Sequence, residues 1–201
     1  MVSQHPSGSP SPREAAGSPA YVKGRRPTAD ELLQARGRVI ADLLPDPLRL
    51  LLVGINPSLW SGAVDAHYAR PGNRFWPALF AAGLTPRLLR PEEDAELPRY
   101  GLGVTNVASR PTRTAAELSV EELRAGGEAL AALVRRYAPR VLAVCGITAW
   151  RTAFDRPRAA LGRQPERIGG AVTWVVPNPS GLNAHHQLPD LARLYGQLRT
   201  R

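Results

Sequence analysis

The sequence predicts an α/β domain: three layers, α/β/α, around a mostly parallel central sheet of about four or five strands. Three observations carry this expectation. Short apolar runs, LRLLLVGI at 48–55, RVLAVCG at 140–146 and AVTWVV at 171–176, are too short for typical helices and suit strands buried on both faces. Segments with helical spacing and capping signals alternate with these runs, the order expected of parallel strands joined by crossover helices. Two segments, GINPS at Gly54–Ser58 and NPSGL at Asn178–Leu182, lie where such runs end in polar turn formers. In parallel α/β proteins, sites are built from loops at the carboxyl ends of strands, so the two loops are expected to meet at one site.

Residues 1–27 are rich in Ser, Pro and Gly and poor in apolar residues, so they are expected to form a flexible basic tail ahead of a domain at 28–201. Thr28 is a good N-cap with Asp30 and Glu31 in the first turn, which places a helix from Ala29 to about Leu43. The run 48–55 is the first strand, stopped by Asn56 and Pro57. A helix over Asn73–Ala82, ended by Gly83, precedes a second strand at Tyr100–Val107. Ser119 with Glu122 three residues on forms a capping box that opens a helix to Tyr137, closed by Pro139. The third strand is Val141–Cys145, followed by a short helix Thr148–Phe154, the fourth strand Ala171–Val176 and a final helix Leu188–Leu198.

At 201 residues the chain fits one domain plus a tail. Its net charge of +9 and pI near 10.9 suit a polyanion-binding protein, although a compositional bias toward Ala, Arg, Pro and Gly explains the Arg excess equally well. Lys23 is the only lysine. No amine nucleophile therefore lies in a candidate site loop, which excludes Schiff-base chemistry there. The single cysteine, Cys145, excludes an intrachain disulfide and any four-cysteine metal site within one chain, and reads as a buried small hydrophobe. His185 and His186 lack carboxylate or cysteine partners at ligand spacing, so no metal and no cofactor are expected. No stretch approaches the roughly 20 apolar residues of a bilayer span, and no signal segment is recognised, so the expected protein is soluble, cytoplasmic and monomeric, without a membrane partner.

The connection 54–76, GINPSLWSGAVDAHYARPGNRFW, is long enough to suggest function. Asn56 offers a water both an amide oxygen and an amide nitrogen, Asp65 is the connection's only carboxylate, and His67 and Tyr68 offer flat faces for stacking. Read alone, the segment is equally an ordinary surface loop. GINPS followed by Pro71, Asn73, Phe75 and Trp76 resembles the first signature of the mismatch-specific uracil-DNA glycosylase and thymine-DNA glycosylase family, within the uracil-DNA glycosylase superfamily. GVTNVASRPT at 103–112, LRAGG at 123–127 and NPSGL resemble three further family segments in the same order, over about residues 46–198.

The resemblance implies a uracil-DNA glycosylase-like fold and hydrolysis of the N-glycosidic bond of a mismatched base flipped out of double-stranded DNA. It implies that Asn56 positions the water and that Tyr68 stacks on the base. Ile55, Ser58, Ser61 and Asn178 would line the base pocket, while Ser180, Gly181, Leu182 and Asn183 would form the wedge and read the opposite base, with Leu182 as apolar plug. Asp65 departs from the family pattern and has two readings, a second catalytic group acting as general base or a solvated loop carboxylate. Ser58, where the family has Gly, narrows the expected room for a 5-methyl group, and Ala184 stands where a basic wedge residue can occur. Arg70, Arg74, Arg110 and Arg113 are candidate phosphate contacts, Trp60 a candidate pocket wall, and Asn106 either reads a base edge or satisfies loop backbone. The favoured function is a monofunctional glycosylase acting on G:U or related mismatches in base excision repair, with no lyase activity. A non-catalytic sensor of mismatched or abasic DNA and a small-nucleotide-binding α/β domain are the alternatives.

Overall fold

The computed structural model describes residues 26–199, so most of the expected tail, including Lys23, lies outside the described residues. Five short strands form one sheet: β1 (Leu50–Gly54), β2 (Leu102–Asn106), β3 (Val141–Cys145), β4 (Gly162–Ile168) and β5 (Ala171–Val176), in the order β2-β1-β3-β5-β4. The pairs β1–β2, β1–β3 and β3–β5 are parallel, and β4 runs antiparallel to β5 at one edge. The expected three-layer fold is present.

Successive residues of a strand face opposite layers, and the core divides accordingly. Leu50, Leu52, Ala143 and Cys145 join Phe75, Leu79, Leu191 and Tyr195 on one face, beneath α3 (Phe75–Ala81) and α6 (Leu188–Gly196). Leu51, Val53, Leu142 and Val144 join Leu130, Val134 and Trp150 on the other, beneath α4 (Val120–Tyr137) and α5 (Ile147–Ala153). From β1 the chain crosses to β2 on one side and later returns to β3 on the other. This reversal puts the topological switch between β1 and β3, where open α/β sheets bind ligands.

Several expectations need correction. The first helix is shorter: α1 spans Ala29–Gln34 with Thr28 and Glu31 in a capping box, then tightens to a 3-10 turn at Ala35–Gly37. Gly37 favours an ending there, and Leu43 instead exchanges backbone hydrogen bonds of 2.9 Å with Val104, covering the open edge of β2. The connection 54–76 holds a helix, α2 (Leu59–Val64), and a 3-10 stretch precedes β2 at Pro91–Tyr100. Strand β4 was not expected, because RQPERI with its internal Pro165 carries no apolar alternation; such a polar segment suits an edge. Its hairpin partner begins after Gly169 and Gly170, both at positive φ, with Ile168 paired to Ala171.

The LRAGG segment explains itself in α4. A Cβ on Gly126 would run into the Val107 carbonyl, and one on Gly127 into the Ala153 carbonyl, so this helix approaches the end of β2 and α5 through glycine backbone. Gly126→Ala is expected to cost about 1–3 kcal/mol through overpacking, read as a lower urea midpoint at unchanged m-value. Because Val107 follows Asn106, the same push is transmitted to the site.

Candidate active site

The site is built at the carboxyl ends of the four parallel strands. At the end of β1, a Cβ on Gly54 would overlap the Asn106 amide oxygen and lie 2.9 Å from the Tyr68 hydroxyl, so the glycine of GINPS makes room for two polar groups from other segments. The Ile55 carbonyl accepts from Ala108 N–H at 2.9 Å, and Thr112 N–H donates to the Pro57 carbonyl at 3.1 Å. These bonds zip the GINPS loop to the loop after β2. Asn56 is held between them.

Its Nδ2 donates to the Arg110 carbonyl at 2.9 Å and to Thr112 Oγ1 at 2.7 Å, with the Pro57 carbonyl at 3.2 Å. Thr112 Oγ1 donates onward to the Thr114 carbonyl at 2.8 Å, so it can only accept from Asn56. Surrounded by acceptors, that end of the amide must be the nitrogen. The expected two-point grip on a water is therefore corrected: only Oδ1 remains for it. Arg110 is fixed in turn by a bidentate pair with Glu122 at 2.8 and 2.9 Å, which corrects its assignment to phosphate. The Arg110 hydrogen bonds, then the Ser119 N–H, hold the Glu122 carboxyl down at about 2, so the clamp persists below the ordinary carboxylate range and is lost only as pH falls through that value. Thr112→Val deprives Nδ2 of its shortest partner. Its expected effect is a stability loss of about 1 kcal/mol, checked by thermal melting.

Ser58 does not simply add bulk beside a base. It is the N-cap of α2, its hydroxyl accepting from Ser61 N–H and donating to Ser61 Oγ, both at 3.1 Å. Ser61 Oγ accepts Ala69 N–H at 3.0 Å and so fixes the backbone beside Tyr68. Asp65 lies at the C-cap of α2 in left-handed conformation, φ 49°, with its side chain exposed and outside the cavity. Of the two readings of Asp65, its position fits the solvated loop carboxylate and not the general base. α2 carries the residue to the surface, and Asp tolerates the left-handed turn that ends the helix.

Tyr68 is also left-handed, φ 53°, and stacks on Phe75 with ring centroids 3.8 Å apart. Asn73 Oδ1 accepts Phe75 N–H at 2.9 Å to start α3, and Trp76 Nε1 donates to the His67 carbonyl at 3.2 Å. The P-x-N-x-F-W element is therefore scaffolding for Tyr68. His67, expected to offer a stacking face, is buried with Nε2 3.0 Å from the Ala41 carbonyl. Beneath Tyr68, burial raises the phenol's pKa well above the usual range, with Cys145 adding to the shift, and burial pushes the Cys145 thiol up to about 11. The floor is neutral.

The second loop packs directly on the first connection. Arg74 Nη1 donates to the His186 carbonyl at 2.8 Å and Gln187 Oε1 at 2.9 Å, and Nη2 to the carbonyls of Ser180 at 2.6 Å and Asn183 at 2.7 Å. A candidate phosphate ligand is instead the clamp of the second loop. A Cβ on Gly181 would come within 2.6 Å of the Gly72 carbonyl, so the glycine lets the loops touch. Asn178 Oδ1 accepts Ser180 N–H at 3.0 Å, and Asn183 Nδ2 donates to the Asn178 carbonyl at 2.9 Å. On this tied loop Leu182 stands 71% exposed.

The two loops enclose a cavity of about 360 Å³. Ile55, Asn56, Ser58, Ser61, Tyr68, Asn178, Ser180, Leu182 and Asn183 all line it; Asp65 and Gly181, also expected at the site, do not. Asn106 was the ambiguous residue of the sequence. It faces this cavity from the end of β2 with no side-chain hydrogen bond among the described residues, which leaves its amide for a ligand. Arg70 and Arg113 are exposed on the cavity's rim, while Trp60 lines a neighbouring groove rather than this pocket.

This arrangement agrees with comparison to known proteins. The sequence profile of the uracil DNA glycosylase superfamily matches residues 41–198. The chain belongs to the uracil DNA glycosylase superfamily. A solution NMR structure of a candidate uracil DNA glycosylase from Methanosarcina acetivorans has the same fold, with a TM-score of 0.55 and 20% identity over 80% of this chain and 97% of that one. Superfamily membership indicates glycosylase hydrolase activity, in a family that acts on DNA. Among the described residues no helix is long and apolar enough to cross a membrane.

Proposed function

We propose that the protein is a monofunctional, mismatch-directed uracil-DNA glycosylase of the thymine-DNA glycosylase type, acting as a monomer in base excision repair. The observation that carries this reading is the state of Asn56, whose nitrogen is spent on protein acceptors and whose oxygen alone serves the cavity. A water donating one proton to Oδ1 turns a lone pair toward the sugar C1′ of a nucleotide whose base occupies the cavity.

The N-glycosidic bond breaks with its electron pair leaving on the uracil, water adds to C1′, and the surplus proton passes to solvent. An amide cannot take that proton, so the reaction depends on stabilising the departing base anion, for which the Asn106 amide and backbone N–H groups are the available donors. Tyr68, braced by Phe75, supplies the stacking face, and Leu182 fills the space the flipped nucleotide leaves in the duplex. Ser58 borders the base position, so thymine is the poorer substrate.

A second reading has its own support: no Asp or Glu lines the cavity among the described residues, as expected of a sensor that flips bases without excising them. Labelled oligonucleotides carrying G:U, G:T or single-stranded U, incubated with protein and then treated with alkali, separate the two. Cleavage at uracil supports the glycosylase. Binding without cleavage on any strand supports the sensor.

A further inference from the structure

Beside the catalytic cavity, between α1 and the start of α2, runs a second groove of about 550 Å³. Leu32, Leu33, Leu59 and Pro71 form apolar walls, and Trp60 gives it an aromatic face. These residues are not simply core: Leu32, Leu33 and Trp60 belong to neither buried layer of the sheet, and Leu33 is 55% exposed. Among the described residues, the charged ones lining the groove are Arg26, Arg70 and Arg113, and none is an acid. The Arg26 guanidinium sits 5.7 Å from the Trp60 ring centroid, so the indole already presents a π face to a planar cation.

Ser58, Arg70 and Arg113 line both this groove and the catalytic cavity. A strand leaving the flipped nucleotide therefore crosses two arginines before reaching Trp60. An apolar slot with an aromatic face, a cationic rim and no acid fits a base joined to phosphate. A paired base cannot enter, because its faces are covered by its stacked neighbours.

We propose that this groove binds an unpaired base of the damaged strand, adjacent to the flipped nucleotide, by stacking on Trp60 with Arg70 and Arg113 on the intervening phosphates. The proposal rests on the glycosylase reading for the position of the flipped nucleotide. It assigns the protein a binding mode for single-stranded or frayed DNA that the duplex wedge does not supply.

The test measures affinity of the full chain for a short single strand whose uridine carries a 2′-fluoro group, which disfavours the sugar cation and so blocks excision. Three strands are compared: intact, with a base-less spacer immediately 5′ of the uridine, and with the spacer immediately 3′. One spacer is expected to weaken wild-type binding about tenfold, the scale of one base–aromatic stack. Trp60→Ala should weaken the intact strand by a similar factor and lose nothing more with that spacer, while Trp60→Phe retains most of the affinity. The fluorescence quench on binding the intact strand should be present in wild type and missing in Trp60→Phe. G:U duplex affinity of Trp60→Ala should change by less than about twofold. The proposal is overturned if neither spacer weakens the wild type, if spacer and Trp60→Ala losses multiply, or if duplex and single strand lose alike. Failure of the glycosylase reading shows separately, as wild-type protein that releases uracil from no unmodified strand.

Discussion

Asn56→Ala is expected to lower the single-turnover rate of uracil excision by about two to three orders of magnitude, the usual loss when one preorganised polar contact is removed from a reacting centre. The geometry explains why so much rests on one amide. Its nitrogen is tied to the Arg110 carbonyl and Thr112 Oγ1, each more than 50 residues away in sequence, so Oδ1 is aimed before substrate arrives. The same substitution leaves those acceptors without their donor, and a stability loss of about 1–3 kcal/mol should accompany the rate loss. Thermal melting separates the two effects. Asp65→Asn is the companion measurement: an exposed side chain at the end of α2, outside the cavity, should leave the rate within about twofold of wild type. A large loss from Asp65→Asn beside a small one from Asn56→Ala would return the chemistry to the carboxylate.

What was legible in the sequence follows from how local its causes are. The runs that became β1, β3 and β5 are apolar because the strands are covered on both faces, and burial on both faces is visible without knowing the partner. The α4 capping box spans Ser119 to Glu122 and is equally local. Strand β4 was missed because an edge strand needs no apolar face, although Gly169 and Gly170 at a two-residue hairpin turn were the available signal. That Ser58 also caps a helix was hidden because α2 is only six residues long inside a Gly- and Pro-containing connection.

The identities of the site residues came from the resemblance, and the cavity gathers nearly all of them. Their hydrogen-bond states did not. Arg110 looked like a free cation because its carboxylate partner Glu122 belongs to the next helix, and the Asn56 amide looked free at both ends because its acceptors follow β2. Side-chain bonds across such separations leave no periodicity to read.

Arg74 is the sharpest case, and its substitution carries the second large effect. Were it a phosphate contact, Arg74→Ala would lower the slope of log affinity against log salt by about 1 and leave the melting temperature unchanged. With its guanidinium spent on Ser180, Asn183, His186 and Gln187, the expected result is different. Stability should fall by about 2–4 kcal/mol, less than the gross sum of four charge-assisted bonds because the half-buried loop carbonyls regain water once the loop is released. The released loop should become the first site of proteolysis, within about residues 178–187. Duplex excision should drop by about one to two orders of magnitude, since Leu182 is positioned only through this loop, while single-stranded uracil, which needs no wedge, should lose less. Arg74→Lys should rescue little: an ammonium is a point charge, and it cannot span the acceptors that a planar fork holds together. The salt slope should move instead with Arg70→Ala and Arg113→Ala, the two rim arginines whose guanidinium groups the protein leaves to solvent. A salt slope that falls with Arg74→Ala while the loop stays protected would reverse the assignment and make the NPSGL loop self-supporting.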